Sequence, residues 1–135
     1  MQEMKLAIIG GGASGLFAAA QAAGTGKFSE ITVYERLERV GKKLLATGNG
    51  RCNILNTDLS RERYHSGAPD TAMRILEAFP PDRILEAFAG MGLLCRAEEG
   101  GRVYPYSAQA SAVLDVLRFC AAERGVVFAE GAPII

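Results

Sequence analysis

The chain has 135 residues, 49% hydrophobic and 22% charged, and its 15 basic and 15 acidic side chains balance to zero net charge. That is one domain's length with enough apolar surface for a core, and it excludes a disordered chain, a coiled coil and a collagen-like fibre. The missing basic excess argues against a nucleic-acid partner.

Lys5 to Ile9 is a short, mostly apolar run that stops at Gly10-Gly11-Gly12. Such a run predicts a parallel-sheet strand buried on both faces. Ala13 to Ala23 is built of small helix formers and ends at Gly24 and Gly26, which predicts a helix. Glu30 to Glu35 contains β-branched Ile31, Thr32 and Val33 and predicts a second strand. Strand, glycine turn, helix and strand in about 30 residues make a βαβ unit. Arg36 to Asn53 has no clean period and reads as a functional loop, with a short helix beginning near Gly50. Ile54 to Asp70 is polar and aperiodic. Thr71 to Phe79 and Asp82 to Met91 predict two short helices broken by Pro80-Pro81. Leu93 to Tyr104 predicts a hairpin turning at Gly100-Gly101. Ala110, Val113, Leu114, Leu117 and Ala121 follow helical spacing, so Ser107 to Arg124 predicts an amphipathic helix stopped by Gly125. Val126 to Ala129 predicts a third buried strand.

Cys52, Cys95 and Cys120 form no C-x-x-C pair, and an odd count suits neither a disulfide framework nor a zinc site. Buried thiols in a reducing cytoplasm are the expectation, with no metal. Lys5 to Ala20 imitates a signal peptide, but Gly10 to Gly12 would weaken its helix. No apolar run reaches the ~18 residues a membrane span needs, so no membrane partner is expected.

Gly10-Gly11-Gly12-Ala13-Ser14-Gly15 fits G-x-G-x-x-G. Gly10 allows the tight turn, Gly12 leaves room for a pyrophosphate, and Gly15 lets the helix pack close to the strand. Alone the motif is weak. Here a strand precedes it, a helix follows, and an acid, Glu35, lies about twenty residues on, at the end of the second strand. A carboxylate there accepts hydrogen bonds from adenosine ribose hydroxyls and would repel the 2′-phosphate of NADP. The motif reads only the ADP half that NAD and FAD share.

The next stretch is more specific. Arg36, Arg39, Lys42, Lys43 and Arg51 lie near the expected polyanion site, and glycines at 41, 48 and 50 imply a backbone brought close to something flat or anionic. Glu35-Arg36 followed by G-K-K-L-L-A-T-G-N-G-R-C-N from Gly41 to Asn53 resembles the BaiN/YhiN-like, aminoacetone-oxidase-type flavoproteins. So does G-R-V-Y-P-Y-S from Gly101 to Ser107, with Ala110, Ser111, Val113, Asp115 and Leu117 beyond it. The resemblance covers essentially the whole chain.

That resemblance implies an α/β, Rossmann-like FAD-binding domain of the glutathione-reductase-like class. It implies FAD as the tight cofactor, NAD(P)H as a candidate electron donor, a small-molecule substrate and hydride-transfer chemistry. Gly10, Gly12, Ala13, Ser14 and Gly15 would then hold the pyrophosphate and Glu35 the ribose, with Arg36 and Lys43 near the adenosine and phosphates. Thr47, Gly50, Arg51, Cys52 and Asn53 would run toward the ribityl chain and flavin, and the backbone near Ile134 would meet adenine. No catalytic acid or base is identifiable. His65 reads as an exposed imidazole, Cys52 as a packing or flavin-lining thiol, and Tyr104 and Tyr106, on either side of Pro105, as core.

Members of that family are much longer. Residues 1–135 are therefore expected to be the N-terminal part of the FAD-binding domain. Residues 58–106 would form an excursion of short helices and a hairpin, and the substrate domain and C-terminal half would be absent. Such a piece is expected to leave the first strand at an open sheet edge and to self-associate. The alternative is a nucleotide-binding module with no activity of its own.

Overall fold

In the computed structural model, which describes residues 3–134, the predicted βαβ unit forms as strand β1 (Lys5–Ile9), helix α1 (Ala13–Gly24) and strand β2 (Glu30–Glu35). β1 runs parallel to β2, from Lys5 opposite Glu30 to Ile9 opposite Tyr34. The far side of β2 pairs, again parallel, with strand β6 (Val127–Glu130), giving the order β1-β2-β6. β2 is thus central, and Ile31, Thr32 and Val33 are all buried.

One helical layer covers this sheet. α1 packs against helix α4 (Ala110–Glu123), which precedes β6. Ala19 and Ala20 of α1 and Ala121 of α4 are fully buried with Ile31, Val33 and Val126, so small side chains let helices and sheet approach closely. Leu6 and Ile8 pack onto the same cluster. Their neighbours Lys5, Ala7 and Ile9 are exposed, Ile9 to 64%. The expectation that β1 is buried on both faces is therefore corrected. Strand side chains alternate, and α1 and α4 cover one side only. The same holds for Val127 of β6, which is 53% exposed.

Between β2 and α4 lie a two-residue strand β3 (Leu55–Asn56), helices α2 (Pro69–Ala78) and α3 (Pro81–Gly90), and strands β4 (Cys95–Ala97) and β5 (Arg102–Pro105). β4 and β5 form an antiparallel hairpin whose turn carries positive φ at Gly100 and Gly101. β3 adds to the other edge of β5, with Leu55 opposite Val103. Pro81 sits at the first turn of α3, where its missing N–H costs no hydrogen bond.

Two further expectations are corrected. No helix begins near Gly50; a 3₁₀ segment, Leu44–Gly50, ends there instead, broken by left-handed Gly48 and Asn49. α4 starts at Ala110 rather than Ser107, because Ala108 is left-handed with φ of +53° and the Gln109 N–H turns back to the Ser107 hydroxyl.

Candidate functional site

The C-terminal ends of β1, β2 and β6 open on one side of the sheet, the place where open α/β sheets bind ligands. A cavity of about 340 Å³ lies there, lined by the glycine turn, Tyr34, Glu35, the following basic loop and Ile134.

The glycine turn has the shape its spacing requires. Gly10 has φ of +99°, and its N–H donates to the Tyr34 carbonyl at 2.8 Å, closing the turn onto β2. Gly12 caps α1, and a Cβ built there would meet nothing within 4 Å. The room a diphosphate needs is therefore present. α1 has no acidic side chain in its first turn and no side-chain cap, so no side chain of that turn competes with an anion for its N-terminal N–H groups. A Cβ on Gly15 would overlap the Gly10 carbonyl oxygen, which is why α1 can lie so close to the turn.

Glu35 is held rather than free. The Gly11 N–H donates to Oε2 and the Leu37 N–H to Oε1, each at 2.9 Å. The Leu37 N–H, then the Gly11 N–H, hold this carboxyl below its ordinary value, and the Arg36 charge adds to the effect. Each oxygen keeps acceptor capacity for a ribose hydroxyl.

The basic loop is pinned to both neighbours. The Gly41 N–H donates to the Gly11 carbonyl at 2.7 Å, and the Val40 N–H to Glu130 Oε1 at 2.8 Å. The Gly131 and Ala132 N–H groups return to the Leu37 and Glu35 carbonyls. Arg36, Lys42 and Lys43 stand exposed on the cavity lip. Among the described residues no ion pair joins Arg36, Arg39, Lys42 or Lys43 to a carboxylate. Their charge is available to a polyanion.

The structure thus brings Gly10, Gly12, Glu35, Arg36, Lys43 and Ile134 to one cavity. Ala13, Ser14, Thr47, Cys52 and Asn53 line a second, mainly apolar cavity of about 280 Å³ against Phe17 and Phe88. Gly50 and Arg51 line neither cavity, and the Arg51 guanidinium points instead to Glu98 and Tyr104. Cys52 is buried, and burial pushes its thiol up against a smaller opposing effect of the Thr47 hydroxyl. Cys95 packs on the same apolar cluster and is also pushed up, first by burial and then by Cys52. Both are neutral thiols and poor nucleophiles near pH 7. His65 is exposed and Tyr104 is buried, but the expectation that Tyr106 is core is corrected: it lies just past the end of β5 and is 62% exposed. No group of three or more His, Cys, Asp or Glu among the described residues could hold a metal. No helix among them is long and apolar enough to cross a membrane.

Sequence reasoning passed over Gly11, Leu37 and Glu130. A Cβ on Gly11 would strike Val40, and its N–H is one of the two that hold Glu35. The middle glycine of the motif was a visible signal. Glu130 at the end of a strand was not.

The model of the HI0933-like protein Rossmann domain matches residues 4–134. The chain belongs to this family. That agrees with the resemblance drawn from the Glu35–Asn53 and Gly101–Leu117 motifs. The HI0933-like domain is 43% identical over 113 residues to a 3-dehydro-bile acid delta(4,6)-reductase of Clostridium scindens, covering 84% of this chain and 27% of the relative. It is 33% identical over 97 residues to a ribosomal RNA dihydrouridine synthase of Haemophilus influenzae, covering 72% and 24%. The chain spans about a quarter of the length of these curated relatives. Among solved structures, THI4 of Thermovibrio ammonificans superposes with a TM-score of 0.57 at 20% identity, over 93% of this chain and 38% of that one. An oxidoreductase from Methanosarcina mazei gives 0.51 at 14% identity, over 95% and 51%. These likenesses establish an α/β Rossmann-type fold.

Proposed function

We propose that this domain holds the ADP half of FAD in a flavin-dependent oxidoreductase. The observation that carries the reading is the pairing of an open Gly12 cradle with a Glu35 carboxylate fixed by the Gly11 and Leu37 N–H groups. The α1 N-terminus and Gly10 to Gly15 would bind the pyrophosphate. Glu35 would accept the ribose hydroxyls, while Arg36 and Lys43 offset phosphate charge. The backbone at Ile134 would border adenine. Thr47, Cys52 and Asn53 would approach the ribityl side, and the neutral Cys52 thiol would serve as apolar lining. Bound FAD would supply hydride exchange with an organic substrate or NAD(P)H.

The relatives' names narrow the reaction class. A delta(4,6)-reductase and a dihydrouridine synthase are both named for reducing a carbon–carbon double bond. We assign the same class to the protein that carries this domain, with a small molecule as substrate on the strength of the 43% relative. RNA as substrate is the second reading, favoured by the dihydrouridine synthase relatives.

The test is to release the ligand by heat from the purified full-length protein that carries this domain and to identify it by chromatography. FAD is the expected product. NADP, or no nucleotide from a folded protein, overturns the proposal. A folded protein that holds FAD but reduces neither a conjugated enone nor uridine in RNA would leave a nucleotide-binding module without this activity.

A further inference from the structure

Arg51 stands in the most glycine-rich part of the second loop, yet its side chain turns away from both cavities. Its guanidinium carbon lies 3.9 Å from the centre of the Tyr104 ring. Nη1 reaches both carboxylate oxygens of Glu98, at 3.2 and 3.3 Å. Glu98 opens the turn of the β4–β5 hairpin, where its N–H donates to the Arg102 carbonyl at 2.7 Å. Tyr104 is 4% exposed in β5. Arg51 is therefore bolted to two points of one hairpin, by stacking and by charge.

What it bolts down is an unusual backbone. Gly48, Asn49, Gly50 and Cys52 all have positive φ, a region that side chains other than glycine rarely occupy. The turn closes on itself through the Arg51 N–H to Gly48 carbonyl and Cys52 N–H to Thr47 carbonyl bonds. A Cβ on Gly48 would come within 2.5 Å of the Asn53 nitrogen and 3.2 Å of Tyr104 Cε1, so the loop also packs closely against that ring. Immediately afterwards the Ile54 N–H joins the Val103 carbonyl and the chain enters β3.

We propose that Arg51 is a positioning residue: its Glu98–Tyr104 clamp holds the Thr47–Asn53 loop in its left-handed form against the β4–β5 hairpin. The functional end of the proposal rests on the FAD reading above, because Thr47, Cys52 and Asn53 are the loop residues placed toward the cofactor. Arg51 acts on FAD through that loop and makes no contact of its own. The hairpin and the loop thereby move as one unit.

The test uses the full-length protein that carries this domain as wild type, Arg51→Lys, Arg51→Ala and Glu98→Gln, with two readouts. Hydrogen exchange of the Cys52 and Ile54 amides reports the loop, with α4 amides as the control for global folding. Titration with FAD, followed by visible circular dichroism of the bound flavin, reports the cofactor. Arg51→Lys keeps the charge but loses the planar stack. It should therefore speed exchange in the loop, leave α4 protected, weaken FAD by roughly two- to thirtyfold and alter the flavin dichroism. Glu98→Gln should do the same more weakly, because the stack survives. Unchanged loop exchange in Arg51→Lys and Arg51→Ala overturns the clamp. Weakened FAD with unchanged loop exchange overturns it too, and makes Arg51 a direct cofactor contact. If Arg51→Ala does not fold, the Arg51→Lys and Glu98→Gln arms decide. A wild type that takes up no FAD fails the FAD reading, while the exchange arms still decide the clamp.

Discussion

Glu35 already accepts two backbone N–H groups, so its carboxylate is aimed before any ligand arrives. Glu35→Ala should weaken FAD binding by about 1–3 kcal/mol, the scale for lost hydrogen bonds to a charged group. Gly12→Val should do worse, because its side chain would fill the open cradle. Flavin fluorescence titration checks both, and unchanged affinity in the two variants would place the phosphate site elsewhere. The same carboxylate sets a pH sign. Its folded-state value lies below the ordinary one, so it stabilises the fold above the unfolded-state value, about pH 4.3, and the gain disappears as pH falls through the folded value. Wild type should lose more stability than Glu35→Gln on acidification from about pH 5 to about pH 3. The turn at Gly10, the open space at Gly12, the close packing at Gly15 and the place of Glu35 at the end of β2 were legible because each follows from a strand, a tight turn and a helix in succession. The grip of Gly11 on Glu35 was not, since it joins positions 24 apart that no local pattern relates.

At the scale of elements, the approach of α1 to the turn depends on one missing methyl group. Gly15→Ala would drive a Cβ into the Gly10 carbonyl, and overpacking of that kind costs about 1–3 kcal/mol. Gly12→Ala, whose Cβ meets nothing, should stay within about 0.5 kcal/mol of wild type. Guanidinium unfolding midpoints of the two variants test the contrast; equal midpoints would mean that the turn relaxes freely. Most long elements could be read from periodicity and glycine punctuation. β3 could not, because two residues carry no alternation and its strand state is conferred by β5. The start of α4 was misread because the left-handed turn at Ala108 belongs to a residue with no special preference for it.

For the whole molecule, the uncovered side of β1 matters most. Lys5, Ala7 and Ile9 are exposed, and β1 stands at the end of the sheet order. An open strand edge with apolar neighbours is a template for pairing with another chain. The 135-residue polypeptide should therefore sediment as oligomers at micromolar concentration, and Ala7→Lys should shift it toward monomer. A monodisperse wild-type monomer would show that the edge is harmless. Exposure of this kind cannot be read from β1 itself. An apolar run states what a strand can bury, and only the packing of layers decides how many of its faces are buried.

The bond between Val40 and Glu130 spans 90 residues, and the pairing of β2 with β6 closes a similar interval. During synthesis at about 5–20 residues per second, the ribosome needs roughly 5–20 s to supply that partner after Val40 is made. For those seconds β1, α1 and β2 exist as a half-built layer, with Ile31 and Val33 waiting for Ala121 and Val126. Nascent chains arrested with Glu130 still inside the ribosomal tunnel should be cut readily by protease between α1 and β2, and released chains should resist. Equal resistance would mean that the βαβ unit is stable before its third strand emerges.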